Sequence, residues 1–475
     1  MKDRIKDALK DRLQAVSSDP DRLKYHLMAD IGWISDPNGL VEHNGIVHIF
    51  HQYTPAEDLG LHKAWGHYTT KDWKHYTDEG TLMVPDQPLD KDGCYSGSGF
   101  SWDGKMHLFY TGNILEDGDY DYINEGRGHY TNHLSSDDGI HFSEKETLLK
   151  NEDYPQNMSC HVRDPKVSLI DGKPYMVIGA RTKDSKGCAL LYKCNPKDLC
   201  DLEFVQVIDS DKPFGYMWEC PGLIEDGKDL YLLCCPQGVD QEGYRYENVY
   251  QNGLFALKKD EKNQYEAKDF QELDLGFDFY APQSFTDSKG REIVIGWMGI
   301  PDADYEQKEK CRNWIHALTL PRELSFKNGK VFQYPIEEIV QLKENAEEIE
   351  LKADQPVELR SRVFMLDLNV NNQPFELKLR HDAKLTWDGK LFTLSFEESG
   401  AGRKARHVET DSLNEISIFS DESSLEIFLN HGEYAFSSRV YDQDQEISLE
   451  SSIDMNGVLA DVQSFEIDYE PALKK

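Results

Sequence analysis

Three carboxylates carry the chemistry this chain could do: Asp36 in "SDPNG", Asp164 in "VRDPK" and Glu219 in "WECPG". Two acids on either side of a bond are the minimal equipment for glycoside hydrolysis, one as nucleophile or base and one as proton donor. They need unequal surroundings, so that one is ionised while the other holds its proton. Ser35 and Asn38 are polar neighbours able to keep Asp36 ionised. Met217, Trp218 and Cys220 give Glu219 apolar neighbours, the setting that favours a protonated general acid. Arg163 precedes Asp164 and is expected to hold it ionised, as a clamp for vicinal sugar hydroxyls. Aromatic faces on which a sugar ring can stack lie near these motifs: Trp33, Trp65, Tyr95, Trp218, Tyr280 and Trp297.

Residues so far apart in sequence can act together only if a repeated architecture gathers them. A hairpin turn followed by an alternating apolar strand recurs at Asn44-Gly45, Asp103-Gly104, Asp171-Gly172 and Asp226-Gly227, and with a longer turn at Asp287. Successive turns lie 55–68 residues apart, room for four short strands and their loops. Radial repetition of this kind is a β-propeller, here of five blades. "GHYTTKDWKHYT" and "GHYTNHLSSDDGIHF" are a second pair of look-alikes that fit outer strands, and no helical pattern intervenes across residues 30–335. Seven or eight residues upstream of the turns stand Asp36, Ser96, Asp164, Glu219 and Tyr280. Seven residues of strand span about 23 Å at ~3.3 Å each, so the turns mark one end of each blade and these polar residues the other. Inner strands converge on a propeller's axis, so the five positions should meet at one mouth of the channel. Alone, each residue reads as a turn or strand residue. Together they are harder to dismiss, because buried carboxylates are costly unless paired or hydrogen-bonded.

Near residue 334 the pattern changes. The charged stretch "PIEEIVQLKENAEEIELKAD" reads as a linker, followed by short alternating strands such as "PFELKLR", "LFTLSFE" and "SLEIFLN" that fit a β-sandwich. The expected organisation is all-β: an amphipathic helix over residues 1–24, a five-bladed β-propeller over 25–340, a linker over 341–355 and a C-terminal β-sandwich over 356–475. The helix rests on Ile5, Leu9, Leu13 and Val16 sharing one face. The sandwich is expected to cover the propeller's flank or to make a homodimer contact. The formal net charge of −35 argues against nucleic acid or an anionic membrane as partner. Nine scattered cysteines without a C-x-x-C spacing, and an N-terminus lacking an apolar signal region, suggest reduced thiols in the cytoplasm. Zinc and calcium spacings are lacking, so neither metal nor cofactor is expected.

The motifs "WISDPNGL", "HQYTP", "WGHYTTKDW", "CYSGSG", "RDP", "ECPG" and "FYAPQSF…IGWMG…LTLPREL" resemble, in order and over nearly the whole chain, glycoside hydrolase family 32, the β-fructofuranosidases. "PQGVDQEGYRYENVYQNG" is most similar to the family's bacterial intracellular branch, which acts on sucrose 6-phosphate. The resemblance implies a propeller followed by a sandwich, and retaining hydrolysis of the fructosyl bond of sucrose 6-phosphate or sucrose, or of short fructo-oligosaccharides. It implies Asp36 as nucleophile, Glu219 as acid/base and Asp164 as a transition-state stabiliser, with the two reacting carboxyls about 5–5.5 Å apart. Asn38, Gln52, Ser96, Arg163 and Tyr280 would line the fructose pocket. The chain departs from the family's usual pattern at Ser35, where Asn is common, and at Tyr95, where Phe is common. A Trp common after the Gln motif is missing near Leu61 and His62, and Trp65 is the candidate substitute. For a phosphate group, His43, His62, Lys63 and Arg245 are the candidates from the blade loops.

Overall fold

Five runs of short alternating strands, each with a turn after its first strand, fold as five blades. The computed structural model describes residues 12–13, 15–56, 63–303, 305, 313–441 and 447–469. The inner strands are Gly32–His43, Cys94–Trp102, Met158–Ile170, Met217–Asp226 and Tyr280–Thr286. Each begins an antiparallel sheet that continues outward through its next three strands. Every inner strand contacts its neighbours in the ring, and the fifth contacts the first. The seam between last and first blades is closed by Trp314–Ile315, which pairs in parallel with Gly32 and Trp33. Asn44-Gly45, Asp103-Gly104 and Asp171-Gly172 all have positive φ at both positions, the geometry whose twist matches a tight hairpin. The look-alike outer strands share one turn: Asp72 accepts the backbone N–H groups of Lys74 and His75, and Asp138 those of Ile140 and His141.

One irregularity recurs in all five blades. Where the inner strand pairs with the second, it carries an extra residue, at Ser35-Asp36, Ser96, Asp164-Pro165, Cys220-Pro221 and Ala281-Pro282. A β-bulge tolerates Pro, which has no N–H for the ladder, and it re-aims the side chains beside it. This is the physical reason for the Asp-Pro, Glu-Cys-Pro and Tyr-Ala-Pro motifs. Asp164, Cys220 and Ala281 lie at positive φ, 65°, 47° and 47°, a left-handed conformation that non-glycine residues adopt rarely.

The C-terminal module is a sandwich of two six-stranded sheets around a core that includes Leu366, Leu377, Leu385, Phe392, Ile427 and Phe436. The expected linker is corrected in part. Lys343–Leu351 is an edge strand of the sandwich, antiparallel to Met455–Val462. Its charges face solvent along an edge, as edge strands commonly arrange them, and so hide the alternation. Near the C-terminus, Glu466–Asp468 returns to the propeller and pairs in parallel with the outer strand of the first blade. Most of the expected N-terminal helix lies outside the described residues, but Leu13 and Val16 pack with Leu23, Met28, Ile31 and Trp314.

Sandwich and propeller share an apolar interface that includes Met365, Phe419 and Phe428 on one side and Leu318, Leu320 and Ile339 on the other. A buried polar network crosses it. His26 bridges Asp421 at 2.8 Å and Glu426 at 2.9 Å, and Arg322 bonds both Glu426 and Asp274.

Candidate active site

The bulges bring side chains from four blades to the wall of a cavity of about 320 Å³ at one mouth of the propeller; Tyr280 of the fifth blade, expected to line it, is buried off the wall and bonds Glu219 instead. The wall includes Trp33, Ser35, Asp36, Gln52, Tyr95, Ser96, Arg163, Asp164 and Glu219. The three acids have different partners. Ser96 donates a hydrogen bond of 2.6 Å from its Oγ to Asp36 Oδ2. Burial pushes the Asp36 carboxyl up to about 6, with Ser96 working against the rise and the Glu219 charge adding to it. At neutral pH a carboxyl with that affinity is still about nine-tenths ionised. Asp164 Oδ2 accepts the backbone N–H of Cys220 at 2.9 Å, and its own N–H donates to Thr111 Oγ1. Burial raises its proton affinity more than the Arg163 cation lowers it.

Glu219 is the most heavily hydrogen-bonded of the three. Arg163 donates to Oε1 from Nε at 3.1 Å and Nη2 at 2.5 Å. Gln237 and the Tyr280 hydroxyl donate to Oε2 at 2.7 and 2.5 Å. Two sequence expectations are thereby corrected. The apolar neighbours of Glu219 do not surround its carboxyl, because successive side chains of a strand point to opposite faces. Trp218 is fully buried in the packing between blades and donates its ring N–H to Phe214 O. Likewise Arg163 directs its guanidinium at Glu219 rather than pairing with Asp164, the next residue.

Other expected site residues divide. Gln52 lines the cavity and donates its amide to Cys94 O at 2.8 Å, tying the first blade to the second. Ser35, Ser96 and Tyr95 also lie on the wall. Asn38, Trp65 and Trp297 do not. Asn38 is buried behind Ser96, where its Oδ1 accepts the Gly97 N–H. Trp65 is fully buried against Phe50 and Tyr110, so it does not replace the missing aromatic wall. Trp297 is buried behind Trp33, with ring centroids 6.4 Å apart, and Trp33 is the exposed indole at the mouth, at 41 %. Of the phosphate candidates among the described residues, only Lys63 lies on the wall. His43 is tied to Ser101 and Asp137 O near the opposite, hairpin end, Arg245 lies beside Glu272, and His62 falls outside the described residues.

Sequence reading missed Arg127, His129, His161 and Gln237. The first three line the cavity from strands of the second and third blades, and Gln237 ends the strand beside Glu219. The available signal was the look-alike "GHYTNH", which contains His129 but by its pattern suggests only an outer strand. His161 accepts from Arg163 Nη1 at 2.7 Å and faces Tyr122 O at 3.1 Å, which fixes it as a neutral ring protonated on Nε2. Burial and the nearby arginines push its pKa down to about 3. Among the described residues, one group of potential metal ligands occurs, His133, Glu146 and Cys200, and none of them lines this cavity.

Acids with unequal partners, converging at the mouth of a five-bladed propeller under an exposed indole, define the class: a glycoside hydrolase. The comparisons with known proteins agree in detail. Residues 26–335 match the glycosyl hydrolases family 32 N-terminal domain and residues 336–468 the family 32 C-terminal domain. This chain belongs to glycosyl hydrolase family 32. It is 37 % identical over 443 residues to the sucrose-6-phosphate hydrolase of Bacillus subtilis (strain 168), covering 90 % of each chain. Among solved structures it resembles the sucrose-6-phosphate hydrolase of Lactobacillus gasseri, with a TM-score of 0.85, 26 % identity and 96 % of each chain covered. It also resembles a mutant β-fructofuranosidase of Bombyx mori in complex with sucrose, with a TM-score of 0.83, 27 % identity and 98 % of each chain covered.

Proposed function

We propose that the protein is a retaining β-fructofuranosidase that hydrolyses sucrose 6-phosphate, and sucrose less well, by double displacement. The observation that carries this reading is the single cavity shared by Asp36, Asp164 and Glu219. Asp36 attacks the anomeric carbon of the fructosyl unit while Glu219 protonates the glycosidic oxygen, and the glucosyl part leaves. Glu219, now ionised, takes a proton from water, which attacks the fructosyl ester and returns Asp36 free. Asp164 accepts hydrogen bonds from fructose hydroxyls. Ser96 orients Asp36, and Arg163, Gln237 and Tyr280 orient Glu219. The names borne by the Bacillus subtilis and Lactobacillus gasseri relatives support the phosphorylated substrate. The free cysteines fit a reducing compartment, and we place the enzyme in the cytoplasm. Among the described residues no helix is long and apolar enough to cross a membrane.

The test is a side-by-side measurement of kcat/KM for sucrose 6-phosphate, sucrose, 1-kestose and inulin. The reading expects sucrose 6-phosphate to lead. A rate highest on the fructans refutes the substrate, and no fructose release from any of them refutes the enzyme.

A further inference from the structure

The cavity is acidic at its floor and cationic along one wall. In a chain with 87 acidic and 52 basic residues, cations are usually drawn to carboxylates. Lys63 and Arg127 line this cavity, and their hydrogen bonds among the described residues go to neutral groups. Lys63 Nζ donates to the Tyr95 hydroxyl at 3.0 Å. Arg127 donates to Asn113 Oδ1 at 2.8 Å and to Tyr122 O at 3.3 Å. Burial would raise the Tyr95 phenol, yet Lys63 and Arg127 outweigh it and bring its pKa below the ordinary value.

These groups are joined to the acid by an unbroken ladder of contacts. Glu219 meets Arg163, and Arg163 meets His161. The rings of His161 and His129 lie 5.5 Å apart, and those of His129 and Tyr95 5.7 Å. Arg127 and Lys63 complete the wall. Both imidazoles are pushed well below their usual range, first by burial and then by the arginines, so they supply neutral hydrogen bonds between two charged ends. The wall thus runs from Glu219 to Lys63 and Arg127. Its far end offers an ammonium, a guanidinium and a phenol, the donors that suit a phosphate dianion.

We propose that Lys63, Arg127 and the Tyr95 hydroxyl form the subsite for the 6-phosphate of the departing glucosyl unit. This rests on the reading of the cavity as a β-fructofuranosidase site. It also accounts for Tyr95, whose hydroxyl, absent where the family has Phe, holds the Lys63 ammonium against the wall.

The test compares Lys63→Gln, Arg127→Gln and Tyr95→Phe with the wild-type enzyme, reading the ratio of kcat/KM for sucrose 6-phosphate to that for sucrose. The ratio is expected to fall by about 10- to 100-fold for either charge removal, the scale of one lost charge-assisted hydrogen bond, and by less for Tyr95→Phe. Inhibition by glucose 6-phosphate should weaken in parallel, while inhibition by glucose, which lacks the anion, should not follow it. A ratio unchanged in Lys63→Gln and Arg127→Gln overturns the subsite while leaving the fructosidase reading intact. A wild-type enzyme inert towards both substrates would overturn that reading instead. Thermal melts identify a variant that has lost structure. If Arg127→Gln unfolds, Lys63→Gln and the glucose 6-phosphate inhibition of the wild-type enzyme still decide.

Discussion

Removing the Tyr280 hydroxyl isolates how Glu219 is held. In Tyr280→Phe, Glu219 Oε2 loses the 2.5 Å bond from the phenol but keeps that from Gln237, and Oε1 keeps Arg163. A hydrogen bond to a charged group contributes about 1.5–3 kcal/mol, and in the proposed mechanism Glu219 becomes charged as it gives up its proton. With three of four donors still in place the lower part of that range applies, a loss of about 10- to 30-fold in kcat/KM. The ring itself stays buried against Tyr250, with centroids 5.9 Å apart, so the melting temperature should move by no more than a few degrees, about 1 kcal/mol or less. The assay compares sucrose with a fructoside whose leaving group needs little protonation. If Tyr280 acts through the proton donor, the first substrate suffers and the second is largely spared. A loss below about twofold on sucrose refutes the positioning role. Equal losses on both substrates would assign the hydroxyl to the sugar rather than to Glu219.

Two further perturbations follow from the charges. In the proposed mechanism Asp36 is ionised when it attacks, and its affinity is raised to about 6, so kcat/KM should fall as pH drops through about 6. A profile flat down to pH 4 would contradict this. At the interface, His26→Leu leaves Asp421 and Glu426 buried without their shared partner and should cost about 3–5 kcal/mol, read by denaturant unfolding. Burial lowers the affinity of His26, but the two carboxylates outweigh it and the net shift is upward. A group raised in the folded state stabilises fully below its unfolded pKa of about 6.5 and loses that contribution as pH rises through the folded value. The wild-type protein should therefore lose stability on the alkaline side, and His26→Leu should flatten that slope. The same slope in both proteins would refute the assignment.

The repeat was legible because a tight hairpin needs residues that accept positive φ, and Asn-Gly and Asp-Gly announce themselves blade after blade. That regularity is enough to single out Asp36, Asp164 and Glu219 from sequence alone. What it could not show was the bulge at each of these positions, since one extra residue changes no composition. Reading sequence neighbours as spatial neighbours failed for the same reason at two places. Trp218 and Glu219 face opposite ways along one strand, and Arg163 reaches across to the next blade while Asp164 bonds Cys220. Trp65 and Trp297 look like any surface indole in sequence, and only packing tells a core ring from a wall. The cationic wall was hidden because Lys63 and Arg127 come from different blades and carry no motif of their own. The edge strand Lys343–Leu351 was hidden by its solvent-facing glutamates.

The most direct measurement is a trap for the covalent intermediate. Glu219→Ala, given a fructoside with an activated leaving group, should form the fructosyl ester and hydrolyse it slowly. Peptide mass spectrometry should then find one fructosyl unit on the peptide carrying Asp36 and on no other. A fructosyl unit on Asp164 or elsewhere, or turnover of sucrose by Asp36→Asn at a rate near that of the wild-type enzyme, would contradict the account.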